Sequence, residues 1–270
     1  MNVISVKKLN KSFGTKQALS DVSFEVAENS ITGFLGPNGA GKSTAMNILL
    51  GFIAADDGKA RIFDEKVSVS NHKIHKDIGF LSSNMALDKT LTAGQEIEYF
   101  GHLAKNYDAQ KVADLAKKLD LDLNQKIGSM STGNHQKVAL MVALLAEPKL
   151  LILDEPTNGL DPLVQAEFNK IIMQLHAKGS TIFISSHVLS EIEELCDNFI
   201  FIRDGKIAAQ LSKDDLHRKS QDKIVVETNA KNKAKIQKFL RDNKIKFAEE
   251  SGDLESTFMK YYSGKEERDA

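Results

Sequence analysis

The sequence predicts an α/β protein. It reads as a phosphate-loop core sheet with an antiparallel β-subdomain before it, an α-helical subdomain inserted into it, and a small α+β appendage at the end. Three observations carry this reading. The residues GPNGAGKST, Gly36 to Thr44, complete the pattern G-x-x-x-x-G-K-[ST] directly after the apolar residues Ile31, Phe34 and Leu35, as a strand feeding a helix requires. Strand and helix signals alternate again from Leu150 onward. Between these stretches, from about Leu91 to Glu147, apolar residues recur at helical spacing.

The elements follow in chain order. Val3, Ser5 and Lys7 alternate with Ile4 and Val6, and Val22, Phe24 and Val26 repeat the period of two, which predicts antiparallel strands ahead of the phosphate-loop strand. Asp57-Gly58 reads as a second hairpin turn leading into Lys59–Phe63. An apolar strand follows at Ile78–Leu81, then the helical stretch with Ile97, Phe100, Leu103 and Ala104 on one face. Leu150–Leu153 is the next strand, a helix begins near Asp161-Pro162, and a strand over Thr181–Ser185 precedes a helix over Leu189–Leu195. Phe199–Ile202 closes the core, so the main domain is drawn over residues 1–205, with its helical subdomain at about 84–147. Residues 206–270 are expected to form the appendage, from an alternating run at Lys223–Glu227 and helices over Ala234–Leu240 and Leu254–Tyr262.

Composition narrows the function. The net charge is −1 with mixed signs throughout, and Lys and Arg form no basic block, so no nucleic-acid partner is expected. One cysteine, Cys196, excludes an internal disulfide and reads as a packed core thiol. The longest apolar stretch, Val138–Ala146, is far short of the ~20 residues a membrane helix needs. Any membrane role therefore runs through a partner chain.

The phosphate loop implies a nucleoside triphosphate. Gly36, Gly39 and Gly41 let backbone N–H groups approach phosphate oxygens, with Pro37, Asn38 and Ala40 between them, and the helix starting near Lys42 adds its positive end. Lys42 is placed for the β- and γ-phosphates, Ser43 for Mg²⁺, and Thr44 completes the motif. About a hundred residues downstream, Asp154-Glu155 ends a buried strand, where a doubly wound sheet holds its ligands. Asp154 suits Mg²⁺ and Glu155 the attacking water. His187, at the end of the Thr181–Ser186 segment, reaches the same rim of the sheet. His72-x-x-His75 has helical ligand spacing but no acidic or cysteine partner nearby, which argues against a metal site.

Met130-Ser131-Thr132-Gly133-Asn134, followed by His135-Gln136-Lys137, is similar to the LSGGQ signature and trailing Q-[RK] of ATP-binding-cassette (ABC) ATPases. With the loop and the carboxylate strand, it makes residues 1–205 resemble the nucleotide-binding subunit of an ABC transporter. The resemblance implies a RecA-like core, with Phe13 stacking on adenine. It implies that Ser131 and Gly133 cap the γ-phosphate of a nucleotide held by a second cassette, as a homodimer, and that Gly159-Leu160-Asp161 links the two. It further implies ATP and Mg²⁺ as ligands, Glu155 and His187 as catalytic residues, an integral membrane permease as partner, and a cytoplasmic location at the inner face of the cell membrane.

Two positions depart from the family pattern. Ser83 stands where the Mg²⁺-contacting glutamine is usual, and reaches the ion only through water; a register shift of one would bring Asn84 there. Thr132 and Asn134 replace glycine and glutamine in the signature. The stretch Asp253-Leu254-Glu255 to Phe258 and Tyr261 resembles the closing helix of drug, polysaccharide or bacteriocin-immunity export ATPases. A soluble ABC ATPase without a transport role is the alternative, but the paired cassettes, coiled-coil insertions or zinc modules of that class are not visible. A regulatory cassette would be expected to lack Glu155 or His187.

Overall fold

A computed structural model describes residues 1–82, 85–104, 107–145, 147–220, 235 and 238–240. Residues 1–212 form one compact unit and 213–270 a second. The first begins with two long strands, β1 (Asn2–Phe13) and β2 (Lys16–Ala27), which pair antiparallel through a tight turn at Gly14. β3 (Ile31–Leu35) is buried at every residue and feeds helix α1 (Lys42–Leu49). β4 (Asp57–Ile62) and β5 (Glu65–Lys66) complete a four-stranded antiparallel sheet in the order β2-β1-β4-β5.

Asp57-Gly58 is not the hairpin turn expected of it. Gly58 lies inside β4 at φ 97°, where β1 bulges, and a Cβ there would collide with Lys8 O. The hairpin instead turns at Phe63-Asp64, both at positive φ, a pair that carries none of the usual Asn-Gly or Asp-Gly chemistry.

β6 (Ile78–Leu81) leads into three helices: α2 (Ala93–Leu103), α3 (Ala109–Lys118) and α4 (Thr132–Leu144). Each starts where a side chain satisfies open backbone N–H groups: Thr92 with Gln95 in a capping box, Asp108, and Ser131. The chain then returns through β7 (Leu150–Asp154), α5 (Pro162–Ala177), β8 (Thr181–Ser186), a single turn α6 (Leu189–Ile192), β9 (Asn198–Arg203) and β10 (Lys206–Ser212). Helix α6 stops at Ile192, short of the expected Leu195.

The second sheet has the order β10-β9-β3-β8-β7-β6, parallel except for β10. Strand β10 pairs with β9 around Asp204-Gly205, so the expected break after residue 205 falls in a hairpin turn, and the core unit runs to Ser212. The core lies between the two sheets, where Phe24 of β2, Phe34 of β3 and Phe183 of β8 bring ring centroids within 5.3–5.6 Å. Each buried ring contributes roughly 1.5–3 kcal/mol. Cys196 is buried beside Gly33.

Glu147, between α4 and β7, accepts hydrogen bonds from Lys178 at 2.7 Å and Lys111 at 3.0 Å, which together hold its carboxyl below the usual glutamate range. In the second unit, α7 (Lys213–Ser220) is described, and Lys235, Lys238, Phe239 and Leu240 are helical. The run Lys223–Glu227, the helix over Leu254–Tyr262 and the rest of Ala234–Leu240 lie outside the described residues. No helix among the described residues is long and apolar enough to cross a membrane.

Candidate nucleotide site

Strand register assembles the site. Leu35 pairs with Ser186 and Asp154 with Ser185, so the residues that follow, Gly36, His187 and Glu155, emerge side by side on the C-terminal rim of the parallel sheet. That rim is where open α/β sheets bind ligands. Gly36 N–H donates to Ser186 O at 3.2 Å, and Ala40 N–H donates to Pro37 O at 3.1 Å. Pro37, Asn38 and Gly39 are exposed at the loop's crest, while Gly36 and Ala40 are buried at its feet. Gly41 caps α1 at φ 109°, and a Cβ there would meet Ala18 O of β2 at 2.7 Å. The first turn of α1 therefore opens towards the crest, with Lys42 buried, Ser43 exposed and Thr44 half-buried.

Lys42, Glu155 and His187 form a continuous charged chain. The Lys42 ammonium donates to Gly36 O and to Pro37 O, the latter at 3.3 Å, and stands 3.0 Å from Glu155 Oε1. Glu155 Oε2 lies 2.7 Å from His187 Nδ1. Lys42 and Glu155 side chains are 5 % and 8 % exposed, so the pair is largely desolvated. Glu155 Oε1 accepts no well-aligned hydrogen bond, and its contact with Lys42 is an ion pair alone.

One hydroxyl bridges the Asp154 carboxylate and the Glu155 backbone. Ser185 Oγ donates to Asp154 Oδ1 at 2.6 Å and accepts the Glu155 N–H at 3.0 Å. Ser43 and Asp154 offer a hydroxyl and a carboxylate, hard oxygen donors of the kind Mg²⁺ takes. Ser83 and Asn84 lie outside the described residues. Phe13, at the tip of β1, is 52 % exposed with the Lys11 ammonium 5.3 Å from its ring centroid, so it is not a core residue and presents an aromatic face.

Ser131 caps α4 by accepting the Asn134 N–H at 3.3 Å, and Gly133 follows in the first turn. Gly133 packs so closely on Gly159 that a Cβ would meet Gly159 O at 2.5 Å. The signature-like segment is thus fastened to the turn that follows Glu155.

The ABC transporter family profile matches residues 19–158, more than half of the chain. The chain belongs to this family. It is an ATP-binding cassette, and its activity is that of an ATPase. It is 33% identical over 237 residues to the bacitracin transport ATP-binding protein BcrA of Bacillus licheniformis, covering 87% of this chain and 78% of that one. It is 32% identical over 213 residues to the Nod factor export ATP-binding protein I of Rhizobium sp. (strain N33), covering 77% and 70%. Among solved structures, the ATP-binding subunit of an ABC transporter superposes with a TM-score of 0.73 at 27% identity, over 80% of this chain and 92% of that one. A dimeric cassette bound to ADP and Pi, at 24% identity, shares the fold with a TM-score of 0.71.

Three further positions of the cassette bear on its site: Ser185 and Glu191, to which the sequence assigns nothing, and Gln136, which it marks only as part of the signature's trailing Q-[RK]. Ser185 links the Asp154 carboxylate to the Glu155 N–H. Glu191 of α6 accepts from Thr157 Oγ1 at 2.6 Å and from Ser186 Oγ at 3.3 Å, bracing the segments that follow Glu155 and precede His187. Gln136 crosses from α4 to Glu155 O and Pro156 O, each at 3.2 Å. The signal for Ser185 was available: two hydroxyls at the end of an otherwise apolar buried strand need partners.

Proposed function

We propose that this cassette binds ATP with Mg²⁺, pairs with a second copy of itself, and energises export of a substrate through separately encoded membrane subunits at the inner face of the cell membrane. The observation that carries the ATP chemistry is the Lys42–Glu155–His187 chain beside the phosphate loop. In this reading the loop N–H groups and Lys42 hold the phosphates, Ser43 and Asp154 hold the metal, and Phe13 offers its face to the base. Bound Mg²⁺ would neutralise the charge developing on the phosphoryl oxygens. Glu155 takes the proton from water, and His187, hydrogen-bonded to it, fixes its orientation. The likeness to a bacitracin transport protein supports a transport role, and the likeness to a Nod factor export protein supports the direction proposed.

The placement of Ser131 supports pairing. It sits at the start of a 13-residue helix, where the helix dipole favours an anion, and Gly133 ties that helix to residues beyond Glu155. A second chain's nucleotide supplies the anion. Glu155→Gln, which binds ATP without turning it over, is expected to sediment as a dimer with ATP and as a monomer without it. A monomer at high protein and ATP concentration would count against self-pairing and favour a different cassette as partner.

The permease contact is proposed for the connection after β6 and the α2 face beside it. Met85, Leu87 and Leu91 are half-buried and Ala86 exposed along this connection. Leu91 lines a groove of about 460 Å³ with Gln95, Glu98, Tyr99, His102 and Leu103, of which Tyr99 is 57% and Leu103 61% exposed. An amphipathic cytosolic helix of a membrane subunit fits such a groove. Leu103→Glu or Tyr99→Glu is expected to leave the fold and basal ATPase intact while abolishing co-purification with the membrane subunit. Unchanged co-purification would place the contact elsewhere.

A further inference from the structure

We propose that Gln136 is a positioning residue for hydrolysis, holding the Glu155 peptide in the conformation that aims its carboxylate at Lys42 and His187. This rests on Glu155 acting as the base. Glu155 adopts φ 51°, a left-handed backbone that a residue with a Cβ resists. Three contacts hold it there, one of them the Asn158 N–H donating to its carbonyl at 3.3 Å within the turn itself. Its N–H donates to Ser185 Oγ at 3.0 Å, and its carbonyl accepts from Gln136 Nε2 at 3.2 Å. The second amide proton of Gln136 is within reach of Pro156 O, also at 3.2 Å, so one side chain clamps two successive peptides. Relaxation of this turn towards ordinary φ would swing the carboxylate away from the ammonium.

The neighbours of Gln136 show why it differs from a general helix anchor. Asn134 Nδ2 donates to Gln125 Oε1 at 3.1 Å, His135 Nε2 lies 2.7 Å from Ile127 O, and Lys137 Nζ donates to Asp120 O at 2.9 Å. Those three side chains fasten α4 within the helical subdomain. Gln136 instead crosses to the strand-end turn of the core, where Gly133 meets Gly159. A helix whose N-terminus is the signature-like segment therefore grips the backbone of the base directly. The position of α4 sets the aim of Glu155.

Four variants test this in the full chain: Gln136→Ala, Gln136→Glu, Gln136→Lys, and Gln136→Ala combined with Glu155→Gln. Mispositioning a reacting group by about an ångström costs up to roughly 10²-fold, so Gln136→Ala is expected to lower kcat about ten- to a hundredfold with ATP affinity unchanged. Gln136→Lys, which keeps donors for both carbonyls, should recover much of that loss, and Gln136→Glu, which offers none, should not. In the Glu155→Gln background Gln136→Ala should have no further effect, because its action passes through the base. The proposal is overturned by the same fold-loss in that background, by a loss in ATP affinity in place of kcat, or by Lys and Glu variants that behave alike. If Glu155→Gln alone retains near-normal turnover, the base assignment itself falls, whatever Gln136 does.

Discussion

Glu155→Gln is expected to lower ATP turnover by about 10²–10⁴-fold, the range that a positioned general base supplies, while ATP binding persists. Glutamine keeps the side-chain shape and its Oε1 still accepts from an imidazole or ammonium, but it cannot take a proton from water. The free protein adds a second expectation. Glu155 Oε1 and the Lys42 ammonium are 3.0 Å apart in a buried setting, and ATP has to draw Lys42 away from that charge. Removing the charge releases Lys42, so ATP affinity in the variant should equal or exceed the parent's. Single-turnover kinetics alongside equilibrium titration separates the two quantities. Near-normal turnover removes Glu155 from the role of base, and weaker ATP binding would show that the ion pair supports the loop rather than competing with its ligand.

The sheet and its ligand rim were legible because local signals and tertiary role coincide there. Ile31–Leu35 and Leu150–Asp154 are mostly apolar and buried at every residue, as a strand covered on both faces is, and each leads into chemistry that the sheet's C-terminal rim presents. Asp161-Pro162 announced α5 by the same logic, a capping carboxylate before a proline at the first helical position. Turns were less legible. Gly58 looked like turn chemistry because glycine serves any positive φ, and whether that φ belongs to a turn or to a bulge depends on β1, which comes fifty residues earlier in the chain. The expected break after residue 205 puts Lys206–Ser212 with the appendage; its place as β10 is fixed by pairing with β9.

Within the site, the residues that touch ligand chemistry were readable from spacing, and those that position them were not. Lys42, Asp154, Glu155 and His187 carry charge where the topology converges. Gln136, Ser185 and Glu191 act through hydrogen bonds that, apart from the one between Glu191 and Ser186, join residues at least nineteen apart along the chain, and no periodicity encodes such pairs. Phe13 shows the opposite limit. The sequence could not separate a core ring from an exposed one at the end of an alternating strand, because the alternation fails at the bulges of β1.

Lys42→Met is expected to cost the protein both its nucleotide and part of its stability. Losing a charge-assisted hydrogen bond to phosphate, worth roughly 1.5–3 kcal/mol, weakens ATP binding about 10- to 100-fold. Stability falls for a separate reason. Glu155 stays buried at 8 % exposure after its cation has gone, and breaking a buried pair from one side costs about 3–5 kcal/mol. His187, 2.7 Å from the other carboxylate oxygen, offsets some of this, so the lower end of the range applies. Combining Lys42→Met with Glu155→Gln removes the orphaned charge as well as its partner. Urea unfolding of the parent, both single variants and the pair should therefore show the double variant more stable than Lys42→Met alone, whereas ATP binding stays lost in both. Equal stability of the two would mean that His187 alone balances Glu155, and normal ATP affinity in Lys42→Met would remove the loop lysine from the site.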